Sequence, residues 1–287
     1  MEYNSYETAN IIGVNVSTIK RWTNTGKINC FQSIGGHRKF HLSHITDFLK
    51  KNNTYTDIDL THLVGKKSRL IKAINNSEFD YLINYSYKNL IAGDKANFLS
   101  LNNSLILKGY SNYLLFDKMI LPILIRIGEE WSKGKLSITE EHLASEIIKK
   151  YLSNLNYQYL PNKTTYNAFC FTLINDIHDI PLHMAETIMN QFSKIKTFNL
   201  GSNLPISDFI KLSQKIHPDI IYISIIYIDN MKVFNKEIKK LCNNFIKSNT
   251  KIYFSGTGTN KISTNHNNFL KINSYESFDS EISKHFK

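Results

Sequence analysis

Thr8-Ala9-Asn10-Ile11-Ile12-Gly13-Val14 is followed by Ser17-Thr18-Ile19-Lys20-Arg21-Trp22, and then by Gly35-Gly36-His37-Arg38-Lys39-Phe40. Gly13 stands where two short helices need a tight turn, and Ser17 is placed to cap the second of them. In that helix Thr18, Lys20 and Arg21 fall on the outer side, with Ile19 and Trp22 on the inner. Gly35-Gly36 frees the backbone for a hairpin bend, which His37, Arg38 and Lys39 flank. A short helix, a turn, a basic helix and a basic wing, in that order, present cations to duplex phosphates and a few side chains to base edges.

The chain has 287 residues and a net charge of +11, and 42% of its residues are hydrophobic. Its pI is near 9.3. That length predicts two or three domains, and the apolar fraction suffices for ordinary cores. The positive balance favours polyanionic partners. Lys is spread along the whole chain, however, so the motif carries more weight than the charge. No apolar run reaches the roughly 18 residues of a membrane helix, and the first 20 residues lack a signal-peptide layout, so the expected location is the cytoplasm. Cys30, Cys170 and Cys242 are far apart and read as core or incidental thiols. His183 and His217 read as surface or packing residues. No nucleophile elbow, phosphate-binding loop or His-Glu-x-x-His pattern occurs.

Four segments follow from the patterning. Residues 1–50 form the head, closing on a helix that Ser43 is placed to cap. Residues 51–67 are polar and read as a linker. Residues 68–160 carry five helical patterns: around Leu70–Ile74 and Phe79–Tyr87, then Phe98–Lys108, Tyr113–Trp131 and Thr139–Leu155, the last capped by Thr139. They predict a bundle. After Pro161, residues 161–287 alternate short β-branched strands with amphipathic helices, which predicts a parallel sheet covered on both faces. The paired carboxylates Glu129-Glu130 and Glu140-Glu141 read as mainly solvated faces.

The first segment resembles the DNA-binding domain of the MerR family of transcriptional regulators, over about Ser5–Leu49. The carrying blocks are Gly13-x-x-x-Ser17-Thr18-Ile19-Lys20-Arg21-Trp22 and Gly35-Gly36-His37-Arg38-Lys39-Phe40. The resemblance implies a winged helix-turn-helix that binds a double-stranded, near-palindromic operator as a dimer. The DNA-binding residues it marks are Ser17, Thr18, Lys20, Arg21, His37, Arg38 and Lys39.

Further along, the first strand of the α/β segment runs into Asn175-Asp176-Ile177-His178-Asp179-Ile180-Pro181. Ser224 ends the third strand, and Gly256-Thr257-Gly258 follows the fourth. An Asp two residues before a His, at the carboxyl end of a parallel strand, lies where such sheets bind ligands, and the carboxylate orients the imidazole. Glycines at a strand end give small surfaces against which a flat group can lie. In the bundle, Trp131 precedes Glu141-His142. Taken alone, Trp131 reads as a core aromatic and His142 as a satisfied histidine.

Together these features resemble the cobalamin-binding module, in which a helical bundle caps a flavodoxin-like domain. They also resemble the light-responsive, cobalamin-dependent repressors of the MerR family. The resemblance implies His178 as the cobalt ligand, Asp176 as its partner, and Ser224, Gly256 and Gly258 lining the slot for the cofactor's tail. Trp131, Glu141 and His142 match the signature over the upper face. The cofactor it implies is adenosylcobalamin or methylcobalamin. The chain departs from the pattern in four places. Pro181 stands where the loop motif has glycine, Ile226 replaces a leucine, Thr257 interrupts the paired glycines of the slot, and Ser132 stands where light-sensing members carry a histidine.

The expected fold is therefore a winged helix-turn-helix, a four-helix-type bundle and a flavodoxin-like Rossmann α/β domain. The expected function is transcriptional regulation, read as repression, with the tail controlling assembly into dimer or tetramer and so DNA affinity. No enzymatic activity and no membrane association are expected. Two alternatives stay open: a cofactor-free regulator, in which Asp176 and His178 are simply a hydrogen-bonded loop pair, and a corrinoid-carrying methyltransferase module.

Overall fold

A computed structural model describes residues 2–52, 58–156, 164–263 and 266–286. The chain divides into two compact units, Met1–Asn154 and Leu155–Lys287. The sequence boundary between 160 and 161, and Pro161 itself, lie outside the described residues.

The first unit opens with β1 (Glu2–Asn4), α1 (Ser5–Ile12), α2 (Val16–Asn24), β2 (Phe31–Gln32), β3 (Arg38–His41) and α3 (Leu42–Asn52). Asn4 caps α1 through a reciprocal capping box with Glu7, which satisfies donors at both ends of the first turn. Gly13, at φ 75°, ends α1 in the left-handed region that glycine adopts without cost. The three strands form one antiparallel sheet in the order β1-β3-β2. Ile11, Ile19, Phe40 and Ile45 close the core beneath them. Complete burial of such side chains is worth roughly 1.5–3 kcal/mol each.

Two capping expectations need correction here. α2 is capped by Asn15, whose Oδ1 accepts from the Ser17 N–H at 3.0 Å and the Ser17 hydroxyl at 2.9 Å. Ser17 thus lies within the first turn. α3 begins at Leu42, one residue before the expected cap Ser43, and the His41 N–H donates to His44 Nδ1 at 3.3 Å.

The segment read as a linker is partly ordered into the core. Ile58, Leu60 and Val64 are buried, and Thr61–Val64 forms a short helix, α4. Its apolar positions were masked in the sequence by a polar, Asn- and Thr-rich setting. The bundle follows as α5 (Ser68–Asn75), α6 (Phe79–Ile91), α7 (Lys95–Leu107), α8 (Asn112–Leu115), α9 (Leu121–Ser132) and α10 (Ile138–Asn156). The expected single helix from Tyr113 to Trp131 is interrupted by a π-helical turn at Phe116–Ile120, just before Pro122. A proline has no N–H to continue an i→i−4 ladder, and a wider turn accommodates the break. α10 is capped by Ser137, which exchanges hydrogen bonds with Glu140, rather than by the expected Thr139.

The head rests on the bundle. α3 and α4 pack against α7, and Asn103 Nδ2 donates to the Tyr3 hydroxyl at 3.3 Å. Tyr3 is buried; burial pushes its hydroxyl up to about 12, the Asn103 bond opposing and the Glu7 carboxylate adding to the rise.

The second unit is a five-stranded parallel sheet of order β5-β4-β6-β7-β8. Its elements are β4 (Tyr166–Leu173), α11 (Ile180–Asn190), β5 (Ile195–Leu204), α12 (Ile206–Ser213), β6 (Ile220–Ser224), α13 (Met231–Phe245), β7 (Lys251–Ser255), β8 (Phe269–Lys271) and α14 (Tyr275–Phe286). α12 and α13 cover one face, with Phe209 of α12 packed on Phe169 and Phe171, while α11 and α14 pair on the other. The closing helix α14 is an element the sequence reading omits; Phe278 packs on Tyr222 and Tyr253. This is the flavodoxin-like order, and its topological switch point lies between β4 and β6. The expected fold class, helical modules followed by a Rossmann-like α/β domain, is the one observed.

Truncating Tyr3 tests the docking of the head. Tyr3→Ala is expected to lower the unfolding free energy of the full chain in urea by about 3–5 kcal/mol. Tyr3→Phe, which removes only the hydroxyl bond, is expected to cost about 1 kcal/mol.

Candidate functional site

At the switch point, Asp176 joins two loops. Its Oδ1 accepts from His178 Nδ1 at 2.7 Å and from the His178 N–H at 3.2 Å. Its Oδ2 accepts from the N–H groups of Ile226 at 2.7 Å and Tyr227 at 3.1 Å, in the loop after β6. Asp176 is only 1% exposed. Burial acts to raise its pKa, but the bonds from His178 and from the backbone of Tyr227, Ile226 and His178 outweigh it and hold the carboxyl below its ordinary value. The His178 ring is half exposed, at 50%. The carboxylate thus fixes the face the imidazole presents, as an orienting partner does for a metal-bound histidine.

The loop has further supports that spacing alone does not reveal. The Asp176 carbonyl accepts from the Thr172 hydroxyl and from the Asn203 N–H. Asn203 Oδ1 accepts from the Asn175 N–H at 2.8 Å, and both asparagines hold positive φ. Asparagine tolerates that conformation better than other non-glycine residues, which is the one signal a reader of the sequence had.

Ser224 is fully buried at the end of β6, level with Thr172 on β4 and Ser255 on β7. Among the described residues its hydroxyl has no hydrogen-bond partner. An unpartnered buried hydroxyl at the carboxyl edge of a parallel sheet suits a polar ligand group arriving there. The glycines fit less well. A Cβ on Gly256, at φ 94°, would lie 2.4 Å from the Ile225 carbonyl oxygen. One on Gly258 would lie 2.3 Å from Ile225 Cγ2 and 3.2 Å from Ile228 Cδ1. The small surfaces expected to receive a flat group are already covered by the loop after β6. Pro181 is buried in the first turn of α11, and its carbonyl accepts from the Tyr275 hydroxyl at 3.2 Å. A proline fits that position because its missing N–H would have no helical partner.

In the bundle, Trp131 ends α9 and is 50% exposed, so the core reading of this residue does not hold. Glu141 and His142 lie in the first turns of α10, with Glu141 Oε2 3.4 Å from His142 Nε2. Glu141 also accepts from the Ser145 hydroxyl at 2.7 Å. Glu130 is not simply a solvated carboxylate. It accepts from the Tyr87 hydroxyl and from Arg126 Nε at 2.8 Å, and the Arg126 guanidinium lies 3.7 Å over the Tyr87 ring. The bonds from Tyr87 and Arg126 hold its carboxyl below the ordinary range. Cys170 is buried in β4, and burial pushes its thiol well up.

The head keeps its cations outward. Lys20 and Arg21 on α2 are exposed, Thr18 is half-buried, and Trp22 packs on Phe48 with ring centroids 4.9 Å apart. Arg38 donates to Asn24 Oδ1 at 2.7 Å, tying the wing to the end of α2. His37 is exposed at the hairpin bend, and Lys39 pairs across the sheet with Phe31. Lys27, which the sequence reading passes over, lies 4.6 Å above the Trp22 ring.

Residues 3–53 match the helix-turn-helix domain family, and residues 86–156 match the B12 binding domain family. Over 127 residues the chain is 23% identical to the HTH-type transcriptional repressor CarH of Myxococcus xanthus, covering 44% of this chain and 42% of that protein. The monomethylamine corrinoid protein of Methanosarcina barkeri shares the fold, with a TM-score of 0.54 at 13% identity over 69% of this chain and 94% of that one. Among the described residues, no helix is long and apolar enough to cross a membrane.

The Asp176 bonds carry a pH signature. A carboxyl held below its ordinary 3.8 stabilises the folded state above that pH, and the contribution is lost as pH falls through the folded value. Asp176→Asn should therefore unfold at lower urea concentration than wild type at neutral pH, and the gap should close as the pH drops below 3.8. The chain thus joins a segment that matches the helix-turn-helix domain family to one that matches the B12 binding domain family.

Proposed function

We propose that this protein is a DNA-binding repressor whose affinity for its operator is set by cobalamin. The observation that carries the reading is the pairing, in one chain, of an outward-facing basic helix and wing with a segment matched to the B12 binding domain. Ser17, Thr18, Lys20, Arg21, His37, Arg38 and Lys39 contact duplex DNA. His178, oriented by Asp176, is the cobalt ligand; Ser224 meets the cofactor's tail, with Gly256 and Gly258 at the neighbouring turn. Trp131, Glu141 and His142 are the bundle residues assigned to the cofactor. The domains are a head at 1–50, a connecting stretch at 51–67, a bundle at 68–160 and an α/β domain at 161–287. The protein works in the cytoplasm and has no catalytic activity of its own. When bound, cobalamin would supply a cobalt centre able to accept an imidazole nitrogen, which His178 would provide. A ligand alters DNA affinity only by favouring one assembly over another, and several weak heads joined in a dimer or tetramer bind far more tightly than one.

A cofactor-free regulator is the second reading, favoured by the covering of Gly256 and Gly258 by Ile225 and Ile228. Purified chain incubated with adenosylcobalamin or methylcobalamin and then gel-filtered separates the two. Co-elution of corrinoid absorbance, weakened at least tenfold in His178→Ala, is expected. No co-elution, with wild type and His178→Ala alike, would leave the cofactor-free reading.

A further inference from the structure

We propose that Ile34, at the tip of the wing, is an apolar wedge that reads the deformability of the duplex through the minor groove. The inference rests on the DNA-binding reading above and adds a residue and a mode of recognition to it.

The wing is a tight hairpin. The Gly36 N–H donates to the Ser33 carbonyl at 2.8 Å, and the Ser33 N–H donates to the His37 carbonyl at 2.9 Å. Gly36 takes φ 77°, the left-handed residue that lets so short a loop close. The Ser33 hydroxyl turns inward and accepts from the His37 N–H at 3.2 Å. That leaves Ile34 as the one large side chain of the three-residue loop 34–36, and it is fully exposed, at 111% of its reference area. Gly35 and Gly36 keep the space beside it clear.

The surroundings decide what such a tip meets. Behind it stand the exposed His37 and the cations Arg38 and Lys39, and Arg38 is anchored to Asn24 at the end of α2. The cations of the hairpin behind this branched apolar group give the wing charge complementarity with a phosphate-lined groove. The Ile34 side chain has no donor or acceptor with which to read a base edge. What remains is contact by shape: insertion at a base step, favoured where the step unstacks easily. Pyrimidine–purine steps are the flexible ones, so the wing should prefer them.

The test uses the full chain and a random-sequence duplex library. Duplexes retained by wild type should be enriched in a pyrimidine–purine step at a fixed distance from the conserved core of the site. Those retained by Ile34→Ser should lose that enrichment and keep the core. On the best wild-type duplex, Ile34→Ser should bind about tenfold more weakly at every KCl concentration, with the slope of log K against log[KCl] unchanged. Arg38→Ala should instead reduce the slope by about one, the signature of a lost phosphate contact. Thermal unfolding of Ile34→Ser should match wild type, because the side chain packs against nothing.

Binding of Ile34→Ser within twofold of wild type, with the step preference intact, overturns the wedge while leaving the DNA-binding reading standing. A change in self-association at unchanged DNA affinity also overturns it and assigns the tip to a protein contact. A wild-type chain that retains no duplex above random competitor removes both proposals together.

Discussion

The α/β unit turns on a single carboxylate. Asp176 is buried at the one place in a β5-β4-β6-β7-β8 sheet where neighbouring loops diverge, and it spends all its accepting capacity on two of them. One oxygen holds His178, and the other holds the backbone of Ile226 and Tyr227. A buried charge is tolerated only when its lone pairs are filled, and here four donors fill them. The Ile226 loop in turn presses on Gly256 and Gly258. The position of His178 and the closure of the glycine turn are therefore parts of one hydrogen-bonded structure.

Much of this was legible from the sequence where periodicity is strong. The five helical patterns of the bundle and the alternation of β-branched strands with amphipathic helices correspond to the observed elements, with ends shifted by a few residues and the fourth pattern broken by a π-helical turn. Asp176 and His178 could be singled out because a two-residue spacing after a strand brings the side chains together at a known ligand-binding edge. The errors fall where the choice between neighbouring capping groups, or burial within a polar stretch, decides. Caps went to Asn15 and Ser137 because an Asn or Ser two residues earlier was geometrically better placed, a distinction composition cannot make. α4 escaped notice because its buried Val64 sits within a polar stretch. The π-turn before Pro122 escaped because a proline near a helix start has several solutions.

The glycines are the most instructive case. A Gly-x-Gly turn in sequence says only that something approaches closely. It does not say whether the visitor is a ligand or the chain itself. At Gly256 the backbone is at φ 94° and ψ 170°, a region essentially reserved for glycine. Strain avoidance and close approach both demand glycine there, with or without a ligand. The same two residues thus support a slot in the sequence and a closed contact in the fold.

That ambiguity bears on how a ligand would be admitted. To uncover Gly258, Ile225 and Ile228 must move, and the loop that carries them is bonded to Asp176 through Ile226 and Tyr227. Moving the loop costs those two bonds unless Asp176 moves with it, and Asp176 carries His178. Opening the glycine face and reorienting the imidazole are then one event. A ligand that reached the glycine face would meet that cost, whereas one that engaged only the half-exposed His178 ring would not.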